Sequence, residues 1–162
     1  MLIVKSIAVV LVLVALAAVA AGQFGLLQGH APANLGVRDG RLLPPSRTPN
    51  SVTSQAALHP DNPQRAYADI APLKLQGTGP QTIARIRRIV GEMPGAEVVK
   101  GAPDYLYVRF TTRIMKFVDD AEFWYDPSVQ AIQVRSASRL GSKDFGVNRA
   151  RIEEIRQKLT ER

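Results

Sequence analysis

The chain has 162 residues, room for one domain and a targeting segment but not for two ordinary domains, and its 46% apolar content excludes wholesale disorder. With no cysteine it has no disulfide, thiol nucleophile or thiolate metal site, and with two histidines, His30 and His59, both in irregular chain, it offers little for an imidazole metal centre. The formal net charge of +7 suits acidic partners or lipid headgroups, but the basic residues alternate with apolar ones as a solvated face does, and without zinc-finger spacing, an RNP-like aromatic motif or a long basic stripe the sequence predicts no nucleic-acid partner.

Residues 7–21, IAVVLVLVALAAVAA, contain no charged side chain, and Leu2 to Val4 extend the apolar run beyond Lys5 and Ser6. At 1.5 Å rise per residue this run, with Lys5 snorkelling, just spans a hydrocarbon layer of about 30 Å. Two readings of residues 1–22 stay open: an uncleaved membrane anchor, which is favoured, and a signal peptide cut after Ala18-Val19-Ala20. Both export the rest of the chain, because Lys5 lies on the N-terminal side and residues 21–37 carry no Lys or Arg. The expected location is therefore the periplasmic side, anchored or, after cleavage, secreted.

Residues 23–79 hold seven of the prolines, and an eighth, Pro80, follows directly. Proline fixes φ and lacks a backbone donor, so continuous helix and central strand are excluded. The segment reads as extended chain, part linker and part wrapping loop, with Val52, Ala56, Leu58 and Ile70 as docking points.

The compact domain is expected over residues 80–162. Thr78 or Gly79 caps a helix with Pro80 in its first turn, and Ile83, Ile86, Ile89 and Val90 recur at helical spacing until Gly91 and Met93-Pro94-Gly95 stop it. Strands are expected at Ala96 to Lys100, Tyr105 to Phe110, Ile114 to Tyr125 and, after the Asp126-Pro127-Ser128 turn, Ala131 to Arg135. A last helix carries Ile152, Ile155 and Leu159 on one face; Asn148 is its expected N-cap, with Val147 and Ile152 placed for a hydrophobic staple. The predicted fold is α+β: an antiparallel meander of three or four strands with two helices on one face.

Polar chemistry concentrates in residues 135–149, RSASRLGSKDFGVNR, the connection from the last strand to the last helix. Arg135, Ser136, Ser138, Arg139, Asp144, Asn148 and Arg149 are the candidate residues there. Gly141 and Gly146 point to a tight loop in which Asp144, Arg139, Arg149 and Asn148 meet. Asp119 and Asp120 join the set: neighbours on a strand face opposite ways, and pairing one of them with Arg135 or Arg139 is the economical arrangement.

The segments Val134-Arg135-Ser136-Ala137-Ser138-Arg139, Gly141, Asp144, Gly146-Val147-Asn148-Arg149, Phe117-Val118-Asp119-Asp120 and Pro49-Asn50-Ser51-Val52-Thr53-Ser54 closely resemble the domain of unknown function 1499 family, over about Leu35 to Leu159. The resemblance implies an exported or membrane-associated protein of the bacterial kind, with plastid relatives, and assigns no activity, substrate or cofactor. Family members often carry cysteine where this chain has Ser51, so no thiol role carries over.

Three functions fit the polar cluster. It is a structural staple of the strand-to-helix corner, in a module that meets an envelope protein partner through an exposed Tyr105, Tyr107 or Trp124 face. Alternatively its arginines and the helix N-terminus bind a phosphate or carboxylate. An enzyme fits least: Asp119 and Asp120 diverge, Ser136 and Ser138 have no histidine base, and GxSxG, P-loop, GxGxxG and HExxH are absent, so no cofactor or metal is expected. Nothing in the sequence sets an oligomeric state.

Overall fold

The computed structural model describes residues 2–161, the side chain of Leu2 excepted. Helix α1 (Leu2–Gln23) runs about 33 Å at 1.5 Å per residue. Between Ile3 and Gln23 an 18-residue stretch has a mean hydropathy of 2.8 and no buried residue, so the helix is long and apolar enough to cross a membrane, as a signal sequence also is.

The remainder is α+β, as the periodicities require. Strands β1 (Ser51–Thr53), β2 (Leu73–Lys74), β3 (Ala96–Gly101), β4 (Tyr105–Thr111), β5 (Val118–Asp126) and β6 (Ala131–Ser138) form one antiparallel sheet in the order β1-β6-β5-β4-β3, with β2 also on β6. Between β1 and β2 lie a 3-10 turn (Ala56–Leu58) and a one-turn helix, α2 (Arg65–Ala68). Helices α3 (Gly79–Gly91) and α4 (Val147–Thr160) cover one face of the sheet.

Six strands replace the expected three or four, and the additional two come from the proline-rich segment. β1 pairs with Arg135 to Ala137 and β2 with Ala131 and Ile132, so both line the free edge of β6. Two- and three-residue strands carry too little periodicity to be read, and prolines fall between them without interrupting a ladder bond. Val52, Ala56 and Ile70 are buried, whereas Leu58 points to solvent.

The strand expected from Ile114 starts at Val118, because residues 112–117 form a closed turn in which the Phe117 amide donates to Thr112 Oγ1 and Thr112 N–H returns to the Phe117 carbonyl. The last strand runs on from Arg135 to Ser138, held there by β1. Helix α3 begins with a capping box: Thr78 accepts from the Gln81 amide and Gln81 reaches back to the Thr78 amide. Gly79 lies against the Tyr125 ring, which leaves no room for a Cβ.

Each inner strand sends alternate residues to opposite faces, and both faces are covered. Toward the helices, Leu106, Val108, Phe110, Ala121, Phe123, Ile132 and Val134 pack with Ile83, Ile86, Val90, Ile152, Ile155 and Leu159. On the other face Leu35, Val37 and the buried Leu42 lie over Tyr105, Tyr107 and Trp124. The tyrosines expected to form an exposed partner-binding edge are thus each 8% exposed. The strap of residues 35–44 takes the place assigned to a partner.

Leu42 is 3% exposed, so Leu42→Ala is expected to destabilise the protein by about 2–4 kcal/mol in urea unfolding. A change below about 0.5 kcal/mol would mean that the strap is not part of the folded unit.

Candidate functional site

On β5 and β6 the alternation that sorts apolar residues also sorts charged ones. Asp119 and Ser138 are register partners and face the helices; Asp120 pairs with Ala137 and faces the strap, as do Glu122 and its partner Arg135. The RSASR run is therefore two half-sites interleaved, with Ser136 and Ser138 on one face and Arg135 and Arg139 on the other.

On the helix face Arg151 of α4 donates to Asp119 at 2.6 Å, to Asn148 Oδ1 at 2.9 Å and to Ser136 Oγ at 3.2 Å, while its guanidinium stacks 4.4 Å from the centre of the Phe110 ring. Ser136 in turn donates to Asn148 Oδ1. The fully buried Asn148 donates through Nδ2 to Asp144 at 2.9 Å, Ser138 Oγ at 3.0 Å and the Asn50 carbonyl at 3.2 Å. Asn50 Nδ2 closes the loop onto the Gly141 carbonyl at 2.6 Å.

Asn148 is not the N-cap. Gly146, at φ 83°, occupies that position and α4 starts at Val147. The capping acceptor is Asp144, whose carboxylate takes the amides of Gly146 at 3.0 Å and Asn148 at 3.1 Å and the Tyr67 hydroxyl. Val147, half-exposed, forms no staple with the buried Ile152. Burial alone would raise the Asp144 pKa, but the bonds from Tyr67, Gly146 and Asn148 outweigh it and hold the carboxyl below its ordinary range. The Tyr67 hydroxyl is pushed up, first by burial and then by that carboxylate.

On the strap face Arg139 grips Asp120 with both arms of its fork, Nε at 2.9 Å and Nη2 at 2.8 Å, and both side chains are more than nine-tenths buried. The Tyr107 hydroxyl donates to Asp120 at 2.6 Å and accepts from Arg139 at 3.1 Å. Burial and then the Asp120 bond push the Tyr107 pKa up to about 12, whereas the Asp120 bond raises that of Arg139. Glu122, fully buried, accepts from the Tyr105 hydroxyl and from the Gly36 amide of the strap, both at 2.7 Å. Arg135 donates Nε to the Pro44 carbonyl at 3.2 Å, and its Nη1 stands 3.9 Å from Glu122 Oε2, with neither atom hydrogen-bonded. Burial lowers the Arg135 pKa, opposed by the charge of Glu122.

The structure brings Asp144 and Asn148 together, as expected, and separates them from Arg139, which is across the sheet. Arg149 turns away to the carbonyls of Tyr67 and Asp69, at 2.6 and 2.8 Å, where it fastens the segment leading to β2. Of the pairings expected for the aspartates, Asp120 with Arg139 forms; Asp119 takes Arg151 instead. Sequence reasoning does not place Arg151, Tyr67, Asn50, Tyr107 or Glu122 in these networks. Arg151 alone had a usable signal, since it lies three residues after Asn148 and four before Ile155, on the inward face of α4.

Residues 41–159 match the family model of a protein of unknown function. The chain belongs to the domain of unknown function 1499 family. Its matched span covers every residue of both polar networks except Gly36, so the family's domain includes β1, β2 and the end of the strap, residues 41–44, as well as the meander. Comparison with curated proteins and with solved structures returned no match.

Removing one partner of the buried Arg139–Asp120 pair leaves an uncompensated charge, so Arg139→Met and Asp120→Asn are each expected to cost about 3–5 kcal/mol in equilibrium unfolding, and the double variant little more than either. Additive losses would show the two to be uncoupled. Asp144→Asn should cost about 1–2 kcal/mol at neutral pH. Because the folded carboxyl lies below its ordinary 3.8, the wild type's advantage is fully present above that value and is lost as the pH falls through the lower folded one. Unfolding of the two proteins from pH 7 to 2 checks this; an advantage that persists at the acid end would assign it to something other than the charge.

Proposed function

We propose that the chain is a membrane-anchored, non-catalytic module on the extracytoplasmic side, in which Arg135, Ser136, Ser138, Arg139, Asp144, Asn148, Arg149, Asp119 and Asp120 hold the fold together and do not meet a ligand. The observation that carries this reading is that the cluster faces inward on both sides of the sheet. Arg139 and Arg151 are committed to carboxylates, Arg149 to two carbonyls, and Asp144 already fills the anion position at the start of α4. A phosphate or carboxylate would have to displace Asp144 or break a buried ion pair. Ser136 is fully buried and bonded to Asn148 and Arg151, which leaves it neither a base nor a path to substrate.

Anchoring rests on α1, whose length and apolar character support it, and its last residues are fixed to the domain. Gly22 is packed so closely on the Met115 carbonyl that a Cβ would not fit, and Gln23 Nε2 donates to the Ile114 carbonyl at 2.8 Å. The orientation follows from Lys5 on the N-terminal side and a first later cation at Arg38.

Inorganic phosphate is expected to raise the melting temperature of the full chain only in the gradual, non-saturating way of an excluded salt. A saturable rise, lost in Arg149→Gln, would move the function to the loop. Because the chain lacks cysteine, Val129→Cys introduces a single thiol on an exposed turn. A membrane-impermeant maleimide should label it in intact cells; labelling only after lysis would reverse the orientation.

A further inference from the structure

Two connections share one end of the sheet: residues 112–117 between β4 and β5, and residues 139–146 between β6 and α4. Their surface is unlike the rest of the domain. Ile114, Phe117, Leu140 and Phe145 are 60%, 38%, 40% and 92% exposed. Phe117, Leu140 and Phe145 rim a cleft of about 290 Å³ together with Lys143, and the adjoining groove is edged by Arg113 and Lys116. Among the described residues none of these three cations has an ion-pair partner, and the acids nearest them are engaged, Asp119 with Arg151, Glu154 with Lys158 and Asp144 with the start of α4.

Phe145 is the sharpest anomaly. Its backbone sits at φ 53°, a conformation that a bulky side chain adopts at a cost, and its ring buries almost nothing against the domain. A strained backbone that presents an aromatic ring to water gains nothing for the fold alone.

The same end receives α1. Gly22 and Gln23 lie on the 112–117 connection, and Gly29 is pressed against the side chains of Arg139 and Leu140. A helix of about 33 Å in a hydrocarbon layer of about 30 Å brings Gln23 out at headgroup depth. Phe24, 83% exposed, follows at once. With α1 as a retained anchor, this geometry brings the two connections to the bilayer surface.

We propose that this end of the domain is a membrane-docking surface: Phe117, Leu140 and Phe145 enter the interface around α1, and Arg113, Lys116 and Lys143 bind anionic lipid headgroups. Apolar tips within a ring of unpaired cations match the headgroup–acyl boundary of an anionic leaflet. The strap face and the helix face then stand away from the membrane, and the β5–β6 turn at Val129, a strand of nine residues away, is the distal tip.

The proposal rests on α1 being a retained membrane anchor, and one experiment separates the two. The full chain is placed one copy per nanodisc, in phosphatidylcholine alone or mixed with phosphatidylglycerol, with a single nitroxide at Leu13→Cys, Phe117→Cys, Phe145→Cys or Val129→Cys. Collision with oxygen relative to a water-soluble nickel chelate reads depth. The expected order is Leu13→Cys deepest, Phe117→Cys and Phe145→Cys shallower but on the lipid side, and Val129→Cys in water. Phosphatidylglycerol should shift the two loop labels deeper, and Arg113→Glu with Lys116→Glu and Lys143→Glu should erase that shift.

Loop labels in water with Leu13→Cys in lipid would overturn docking and leave the anchor standing. Leu13→Cys in water would overturn both. Loop labels shielded from both reagents would identify a protein contact in place of lipid, and loop depth indifferent to lipid charge would overturn the headgroup role of the cations. A melting temperature for each variant within a few degrees of wild type confirms that the fold is intact; should the triple charge reversal unfold the protein, the same cations changed to glutamine make the test.

Discussion

Two carboxylates adjacent in sequence must point to opposite sides of a strand, and in this domain both sides are covered. Asp119 is carried under α4 and Asp120 under the strap, so neither can be left to water and each needs its own cation. Those cations come from one continuous stretch of chain: Arg139 as β6 ends and Arg151 one turn into α4. That stretch must leave the sheet, turn and come back over it as a helix within a dozen residues. The tight connection, the Asp144 cap and the Asn148 hub are consequences of this demand. Each holds the backbone where the two guanidinium groups can reach opposite faces.

The buried ions also discriminate between registers. The aspartate pair by itself would resist a slip of β5 by one residue only in part, because one aspartate would then take the other's place beside an arginine. Its neighbours would resist it fully: Glu122 would turn into the core among Leu106, Val108 and Ile155, and Phe123 would take its place against the Tyr105 hydroxyl and the Gly36 amide. Ser136 and Arg135 impose the same alternation on β6. Glu122 and Arg135 make an imperfect pair, 3.9 Å apart with one hydrogen-bonding atom idle on each, and as a source of stability they are poor. As a statement of which residue faces which side they are unambiguous.

What could be read from sequence follows the same physics. The meander, both long helices and a cap at Thr78 or Gly79 were legible because alternation, 3.6-residue periodicity and a capping position ahead of Pro80 are local properties. The opposed faces of Asp119 and Asp120 and the pairing of one with Arg139 were legible for the same reason. β1, β2 and the strap were not, since their order comes from contacts with residues 57 to 91 positions away, such as Lys74 to Ala131, Arg135 to Pro44 and Asn50 to Gly141, and proline content masks them. That one omission produced the others. Without a strap the tyrosines looked exposed, and without β1 the last strand looked short. Asn148 was misread as a cap because its side chain suits that role. It is buried as a hub instead, and the capping acceptor lies four residues earlier, across a glycine in the left-handed region.

The division between the inside and the surface bears on function. A domain of this size has few ways to display chemistry, and this one places its densest polar chemistry where only its own backbone and side chains can use it. What remains outward is asymmetric. At one end of the sheet apolar rings and unpaired cations gather beside the exit of an apolar helix; at the other lies a polar hairpin turn in which Ser128 and Gln130 bond back to Asp126, Tyr125 and Pro127. On the proposed docking, an anchor fixed to the domain through Gly22 and Gln23 would also fix which end meets the membrane, with the strap face and the helix face both turned sideways. A protein partner would then approach parallel to the bilayer and meet the strap or the exposed sides of α3 and α4, and the polar networks would serve it by holding those surfaces at a constant height and angle.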